Sequence, residues 1–335
     1  MKKWPIFATL ALMLVLCAVV FGACGTQPQQ QAEQASETET TVCTETAEPT
    51  TLPPETTVAT EPPIEPVDES LLHAKHVFVY DITDERLLYT YGDQTETISP
   101  ASLTKLFTCY VALQYLDPAA VVEVGEEADW IEPDSSVAAV FPGTRLTVEM
   151  IVQGAIMQSG NDAAYALAVA AGRQIAADPQ MEVHAAFGVF MEEMNRQAQM
   201  LGLTGSHFVT PDGYDEEGHY TTAQDMMTIA RLAMTQPLIV RYAKVPKAVV
   251  TFESGENYTW QNTNWLLRED KEDYYCPEAV GLKTGATSNA GKCVIAVFDT
   301  GEKVLLVGVF GCEELEHRFG DALLLYEYYM AALQE

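Results

Sequence analysis

The chain has 335 residues, with 48 acidic against 18 basic ones and a formal net charge of −30. That balance excludes a nucleic-acid binder or a protein drawn to anionic membrane surfaces by charge, and it favours solubility. The length allows one or two domains with a sizeable core.

The N-terminus has the composition of an export signal. Lys2 and Lys3 precede an apolar run from Ile6 to Ala23. A retained membrane span is the alternative reading of the same run. Gly22 and Ala23 place small residues before Cys24, as in a bacterial lipoprotein processing site. Residues 1–24 are therefore expected to be a signal peptide, with Cys24 as the lipidated residue. Residues 25–70 are rich in Thr, Glu, Pro and Gln and contain no Lys or Arg. Such a segment has too little apolar surface to fold and is expected to be a disordered stalk. The folded domain is expected over residues 71–335. This organisation implies an exported protein on the extracytoplasmic face of the cell membrane, held there by an N-terminal lipid.

Val77 to Tyr91 reads as a hairpin. Pro100 and Ser102 are helix start signals, followed by Leu103, Phe107, Tyr110, Val111, Leu113 and Leu116 at helical spacing, and Asp117-Pro118 is a stop. Ser102 thus falls in a first helical turn, where backbone N–H groups and the positive end of the dipole favour a developing oxyanion. Lys105 lies three residues on and shares its face. A Ser-x-x-Lys string is also the pattern of a capped surface helix. As a catalytic pair it requires a neutral lysine near pH 7, against an ordinary pKa of about 10.4. Burial and a second cation lower it, and Lys283 is the candidate cation.

Ser159-Gly160-Asn161 separates two apolar helical patterns, Met150 to Met157 and Ala163 to Ala171. It reads as a helix–helix connection with local capping. In a catalytic reading Ser159 relays a proton between Lys105 and a leaving amine, and Asn161 holds Lys105 or a substrate amide. His207 and His219 flank a later loop; the expected reading is surface placement, and an approach of the loop to the site is the alternative. Thr222 and Asp225 have the spacing of a capping box.

Three strands follow. Ala279 to Gly285, Cys293 to Phe298 and Val304 to Phe310 are separated by turns at Ser288-Asn289-Ala290-Gly291 and Asp299-Thr300-Gly301-Glu302. The first carries Lys283-Thr284-Gly285, where Lys283 and Thr284 are candidates to hold a substrate carboxylate. The Ala286 N–H is a candidate oxyanion donor. Glycine at 281, 285 and 291 marks close approach to the backbone. A C-terminal helix near Glu313 to Leu333 covers the sheet. Cys109, Cys293 and Cys312 sit in apolar patterns as small core residues. No Cys-x-x-Cys or His-Glu-x-x-His spacing occurs, so no metal and no cofactor is expected. The folded part reads as α+β: one antiparallel sheet flanked by helices, with a helical subdomain from about Ser102 to Gln236.

With these residues in hand the chain resembles the D-alanyl-D-alanine carboxypeptidase family of low-molecular-weight penicillin-binding proteins. The likeness runs from about Ala74 to the C-terminus. It includes Val77 to Tyr91, Pro100 to Thr108, Pro142 to Ala168, Phe208 to Met226, Asn262 to Leu267 and Val280 to Thr287. The resemblance implies the serine β-lactamase/penicillin-binding-protein fold with its site between the sheet and the helical region. It implies Ser102 as acylated nucleophile, with Lys105, Ser159 and Asn161 as catalytic partners. Lys283, Thr284, Gly285 and Ala286 would bind substrate, a peptidoglycan stem peptide, and β-lactam antibiotics would acylate the same serine. Two positions depart from relatives: Thr263 stands where some carry arginine, and Ala286 where histidine often follows Lys-Thr-Gly. Other readings of the same motifs are a β-lactamase, a D-Ala endopeptidase, and a non-enzymatic penicillin- or muropeptide-binding module. Against the first, no Glu-x-x-Leu-Asn string lies between Ser159 and Lys283.

Overall fold

The computed structural model describes residues 64–334. The signal segment, Cys24 and the larger part of the expected stalk lie outside the described residues. Among the described residues no helix is long and apolar enough to cross a membrane. Val67, inside the stretch expected as stalk, is 4% exposed and belongs to a buried apolar cluster. The Tyr328 hydroxyl donates to the carbonyls of Glu65 and Pro66 at 3.2 and 3.3 Å. A short apolar stretch inside a polar composition escapes a reading based on window averages, and its partners lie at the other end of the chain.

In chain order the elements are β1 (His76–Asp81), β2 (Arg86–Tyr91), a 3-10 turn at Ala101–Leu103 leading into α1 (Thr104–Ala112), β3 (Val121–Glu123), β4 (Arg145–Thr147), α2 (Val148–Met157) and α3 (Asn161–Ile175). Then come α4 (Val183–Met200), α5 (Ala223–Met234), α6 (Pro237–Ala243), β5 (Lys247–Thr251), β6 (Asn257–Gln261), β7 (Ala279–Thr287), β8 (Gly291–Asp299), β9 (Val304–Cys312) and α7 (His317–Ala332). The main sheet has the order β2-β1-β9-β8-β7, with every neighbouring pair antiparallel. The hairpin, the three later strands and the covering helix match the sequence expectation. Two small two-stranded sheets, β3–β4 and β5–β6, and the short α6 were not legible beforehand. Their strands are short or largely exposed, so they lack the apolar alternation that marks a sheet strand.

The central strands are apolar on both faces because both faces are covered. Phe78, Tyr80, Ile295, Val297, Leu306 and Phe310 point into one core, shared with α1, α2, α3 and α5. Val77, Val79, Val294, Ala296, Phe298, Val307 and Val309 point into the other, under Phe319, Leu325 and Tyr329 of α7. Helix α1 is buried at Thr104 through Cys109 and again at Val111 and Ala112. A helix buried on all sides is a rigid mount, and its N-terminal turn meets the edge strand β7. That placement creates the site.

Candidate active site

Ser102 sits in the 3-10 turn that opens α1, half-buried between the buried Ala101 and Leu103. Ala101 has φ +49°, a left-handed conformation unusual for alanine. Two backbones press on this turn. A Cβ on Gly213, whose φ is +84°, would lie 1.9 Å from the Ala101 carbonyl oxygen and 2.5 Å from Thr104 Oγ1. A Cβ on Gly285 of β7 would come within 3.1 Å of both Ala101 Cβ and the Pro100 carbonyl oxygen. Glycine at these two positions lets a loop and a strand clamp the turn from opposite sides.

Lys105 is 0% exposed, one turn along α1. Its Nζ donates to Ser102 Oγ at 2.8 Å, Asn161 Oδ1 at 2.7 Å and the Asp212 carbonyl at 2.9 Å. Burial pushes this amine down to about 8, with Asp212 acting in the opposite direction. The sequence expects Lys283 to be the cation that lowers it. Of the two expected causes, burial is the one that lowers Lys105. The repulsion falls on Lys283, held well below its ordinary value by burial first, then by Lys105 and Arg318. A Lys105 made neutral at Nζ can take the Ser102 proton across the existing contact.

Ser159 and Asn161 close the site from the helical side. Ser159 adopts φ +59° at the end of the α2–α3 connection, which turns its hydroxyl to accept from Lys283 Nζ at 2.8 Å. Asn161 opens α3, and its Nδ2 donates to Ser135 Oγ at 2.8 Å. The next residue, Asp162, is buried and accepts from the N–H groups of Ala138, Val140 and Ala163. It fastens the 135–140 stretch to the same corner. Its carboxyl is raised by burial, with the three N–H groups working against that.

Strand β7 supplies the opposite wall. Lys283 Nζ spends a second hydrogen bond on the Thr284 carbonyl at 2.9 Å and is 1% exposed. It therefore lies behind Ser159 rather than at the open surface. The Thr284 and Thr263 hydroxyls meet at 2.6 Å. Asn262 and Asn264 flank Thr263 and pin its segment, donating to the Ala243 and Gly281 carbonyls at 3.0 and 2.9 Å. Arg318 of α7 was not anticipated. It is 5% exposed, donates to the Gly285 carbonyl at 3.0 Å, and is pushed down to about 10 by burial.

The open cleft, about 100 Å³, is lined by Ser102, Asn161 and Ala286 among the expected residues, together with Asp134, Ser135, Tyr214 and Asp215. Lys105, Ser159, Lys283, Thr284 and Gly285 form its supporting wall. His219 departs from expectation: it is 7% exposed, not on the surface. Its Nδ1 accepts from the N–H groups of Val209 and Thr210, so Nε2 carries the proton and donates to Thr104 Oγ1 at 3.1 Å. Burial pushes the ring down to about 4, so it is neutral near pH 7 and braces the loop. His207 is exposed, as expected. Cys109, Cys293 and Cys312 are buried free thiols, and Cys276 is a fourth. Thr222 caps α5 by accepting from Asp225 N–H at 3.0 Å, whereas the Asp225 carboxylate turns to Gly205 N–H and Ser206 Oγ.

A Ser–Lys pair, a bridging Ser and Asn, and a Lys-Thr-Gly edge strand thus converge on one cleft. A family model described as D-alanyl-D-alanine carboxypeptidase matches residues 59–314. The chain belongs to the D-alanyl-D-alanine carboxypeptidase family. It is similar to D-alanyl-D-alanine carboxypeptidase DacF of Bacillus subtilis, 28% identical over 252 residues that make up 73% of this chain and 59% of the relative. It is similar also to DacD of Escherichia coli, 31% identical over 263 residues, 75% of this chain and 61% of the relative. The chain therefore spans about 60% of the length of these two curated relatives. Among solved structures, the Streptomyces K15 DD-transpeptidase superposes with a TM-score of 0.69 at 27% identity, covering 78% of this chain and 98% of that one. Penicillin-binding protein D2 of Listeria monocytogenes, in its ampicillin-bound form, gives 0.61 at 25% identity, covering 77% and 97%. The α+β fold of this family is the one the sequence implies.

Proposed function

We propose that the chain is a serine D-alanyl-D-alanine carboxypeptidase acting on peptidoglycan stem peptides. The observation that carries the reading is the buried Lys105 amine, lowered to about 8 and 2.8 Å from Ser102 Oγ. Ser102 Oγ attacks the carbonyl carbon of the penultimate D-alanine while its proton passes to Lys105 Nζ. The N–H groups of Ser102 and Ala286 receive the oxyanion. The tetrahedral intermediate collapses as the leaving nitrogen takes a proton relayed through Ser159, and D-alanine departs. Water then hydrolyses the Ser102 ester. Asn161 orients Lys105 and the substrate amide. Thr284 and Thr263 contact the terminal carboxylate, with the Lys283 charge behind them in place of the arginine that Thr263 replaces.

β-Lactams acylate the same serine in this reading, which the ampicillin-bound Listeria neighbour supports. Their tethered leaving amine stays in the cleft and blocks water, so the penicilloyl ester persists. The likeness to a DD-transpeptidase favours one branch point: an amine can replace water in the second step. The assay compares D-alanine release from a D-Ala-D-Ala peptide with penicillin hydrolysis. Multiple-turnover D-alanine release with a single-turnover penicillin reaction is expected. Rapid penicillin hydrolysis without D-alanine release overturns the peptidase in favour of a lactamase.

The chain is further proposed to be exported and tethered through a lipid on Cys24, with the following polar segment as a spacer. Support comes from the sequence pattern before Cys24. A clickable fatty acid fed to expressing cells is expected to label the wild type and not Cys24→Ala. Label retained in the variant places the anchor elsewhere.

A further inference from the structure

The segment from Asp212 to Tyr214 touches a different wall of the cleft with each residue, and Asp215 completes it. The Asp212 carbonyl holds Lys105, Gly213 packs on the Ala101 carbonyl, and the Tyr214 hydroxyl donates to Asp134 Oδ1 at 2.9 Å. Asp215 lines the cleft itself. Its Oδ1 accepts from Ser99 Oγ and from Thr287 Oγ1, both at 2.8 Å, and its Oδ2 accepts from the Asn289 N–H at 3.1 Å. Thr287 Oγ1 also accepts from the Ala290 N–H at 3.0 Å, closing the β7–β8 turn.

These partners stand on the two pieces of backbone that must be in register for acyl transfer. Ser99 is three residues before Ser102, on the segment that leads into the turn. Thr287 directly follows Ala286 at the end of β7. No main-chain ladder joins these pieces, because β7 is the edge of the main sheet and its paired neighbour is β8. Gly285 packs on the Pro100–Ala101 backbone, and beyond that contact the Asp215 carboxylate spans the two pieces. A side chain with two oxygens can hold both hydroxyls and the Asn289 N–H at once, which suits a tie that must hold a gap fixed. An error of about 1 Å in such a gap costs about 100-fold in rate.

We propose that Asp215 is a positioning residue that sets the separation between Ser102 and the oxyanion donor at Ala286. It never meets the reacting atoms; it acts through Ser99 and Thr287. The inference rests on the reading of Ser102 as the acylated group and deepens it.

The test is stopped-flow acylation of the full chain by a fluorescent penicillin, resolving the non-covalent dissociation constant from the acylation rate constant. Rates refer to protein labelled at the end point, so unfolded molecules do not count. Asp215→Ala is expected to lower the rate constant about 10- to 100-fold with the dissociation constant within about 3-fold. Asp215→Asn is expected to stay within about 3-fold of wild type, since its Nδ2 can donate to the Ser99 and Thr287 hydroxyl oxygens while its Oδ1 accepts from Asn289. A purely structural carboxylate would lower the melting temperature of Asp215→Ala and leave its acylation rate constant at the wild-type value; that result overturns the proposal. So does Asp215→Asn as slow as Asp215→Ala, which would make charge the requirement. Should Asp215→Ala fail to fold, Ser99→Ala and Thr287→Val decide. Each is expected to slow acylation about 3- to 10-fold, and wild-type rates in both overturn the proposal. A wild-type chain that is not acylated at Ser102 sinks the functional reading itself, a failure visible before any Asp215 variant is compared.

Discussion

Ser102→Ala is expected to lose covalent labelling by a fluorescent penicillin entirely and to lower D-alanine release by about 10⁴-fold or more, the loss typical of removing a nucleophile that works as one unit with its base. The fold should survive the change. Ser102 is half-buried and contributes a hydroxyl to a lysine that keeps two other partners, Asn161 Oδ1 and the Asp212 carbonyl. Removing the hydroxyl therefore strands no buried charge, and stability should move by about 1 kcal/mol or less. Intact-mass spectrometry reads the adduct and a melting curve reads the fold. Wild-type and variant proteins that gain the same penicilloyl mass would remove Ser102 from the reaction.

Much of this site is legible in the sequence because its parts are locally encoded. Ser102 and Lys105 are three residues apart on a helix marked by Pro100 and a run of apolar residues, and helix geometry alone brings their side chains together. Lys283, Thr284 and Gly285 lie on a strand bounded by turn residues. What the sequence does not encode locally is depth. The residues that enclose Lys105 and accept from its amine are 56 and 107 residues away, at Asn161 and Asp212. Nothing near Lys105 says it will be 0% exposed.

The same limit explains the residues that went unseen. Arg318 follows Glu313, Glu314 and Glu316, so by sequence it reads as a member of a solvated ion cluster. It instead turns inward to Gly285 and Cys293, 33 and 25 residues away. His219 lies in a polar loop, where a histidine belongs at the surface until the loop is seen folded over α1. Asp215 precedes Glu216 and Glu217 and looks like one more solvated acid. Its two functional partners, Ser99 and Thr287, are 116 and 72 residues away. Gly213 is the one signal that was available: a glycine between Asp212 and Tyr214 marks a positive φ, and here it is what allows the loop to touch the turn that carries Ser102.

The acylation rate is expected to rise with pH through about 8 and to level off above it, following the Lys105 amine. The sign follows from the chemistry. The active form is the neutral amine, so the rate is low where Lys105 is protonated and grows about tenfold for each pH step until the amine is free. At pH 7 about a tenth of the molecules carry the neutral base. His219 and Cys109 do not supply the same inflection. His219 is pushed down to about 4 and Cys109 up to about 12, both by burial, so neither changes charge between pH 6 and 9. Lys283 is held well below its ordinary value, partly by Lys105 itself, so the two amines titrate as a pair. A substrate carboxylate near β7 would favour the proton on Lys283 and leave Lys105 as the one that gives its proton up. Two variants separate base from charge. Lys105→Ala is expected to slow acylation by about 10³-fold or more, within the range that a positioned base contributes. Lys105→Arg keeps a cation but cannot deprotonate in a protein. It should therefore be as slow as the alanine variant and show no inflection near pH 8. Acylation that is flat from pH 6 to 9 in the wild type, or an arginine variant within tenfold of it, would mean that Lys105 works as a fixed charge and that the proton of Ser102 leaves by another route.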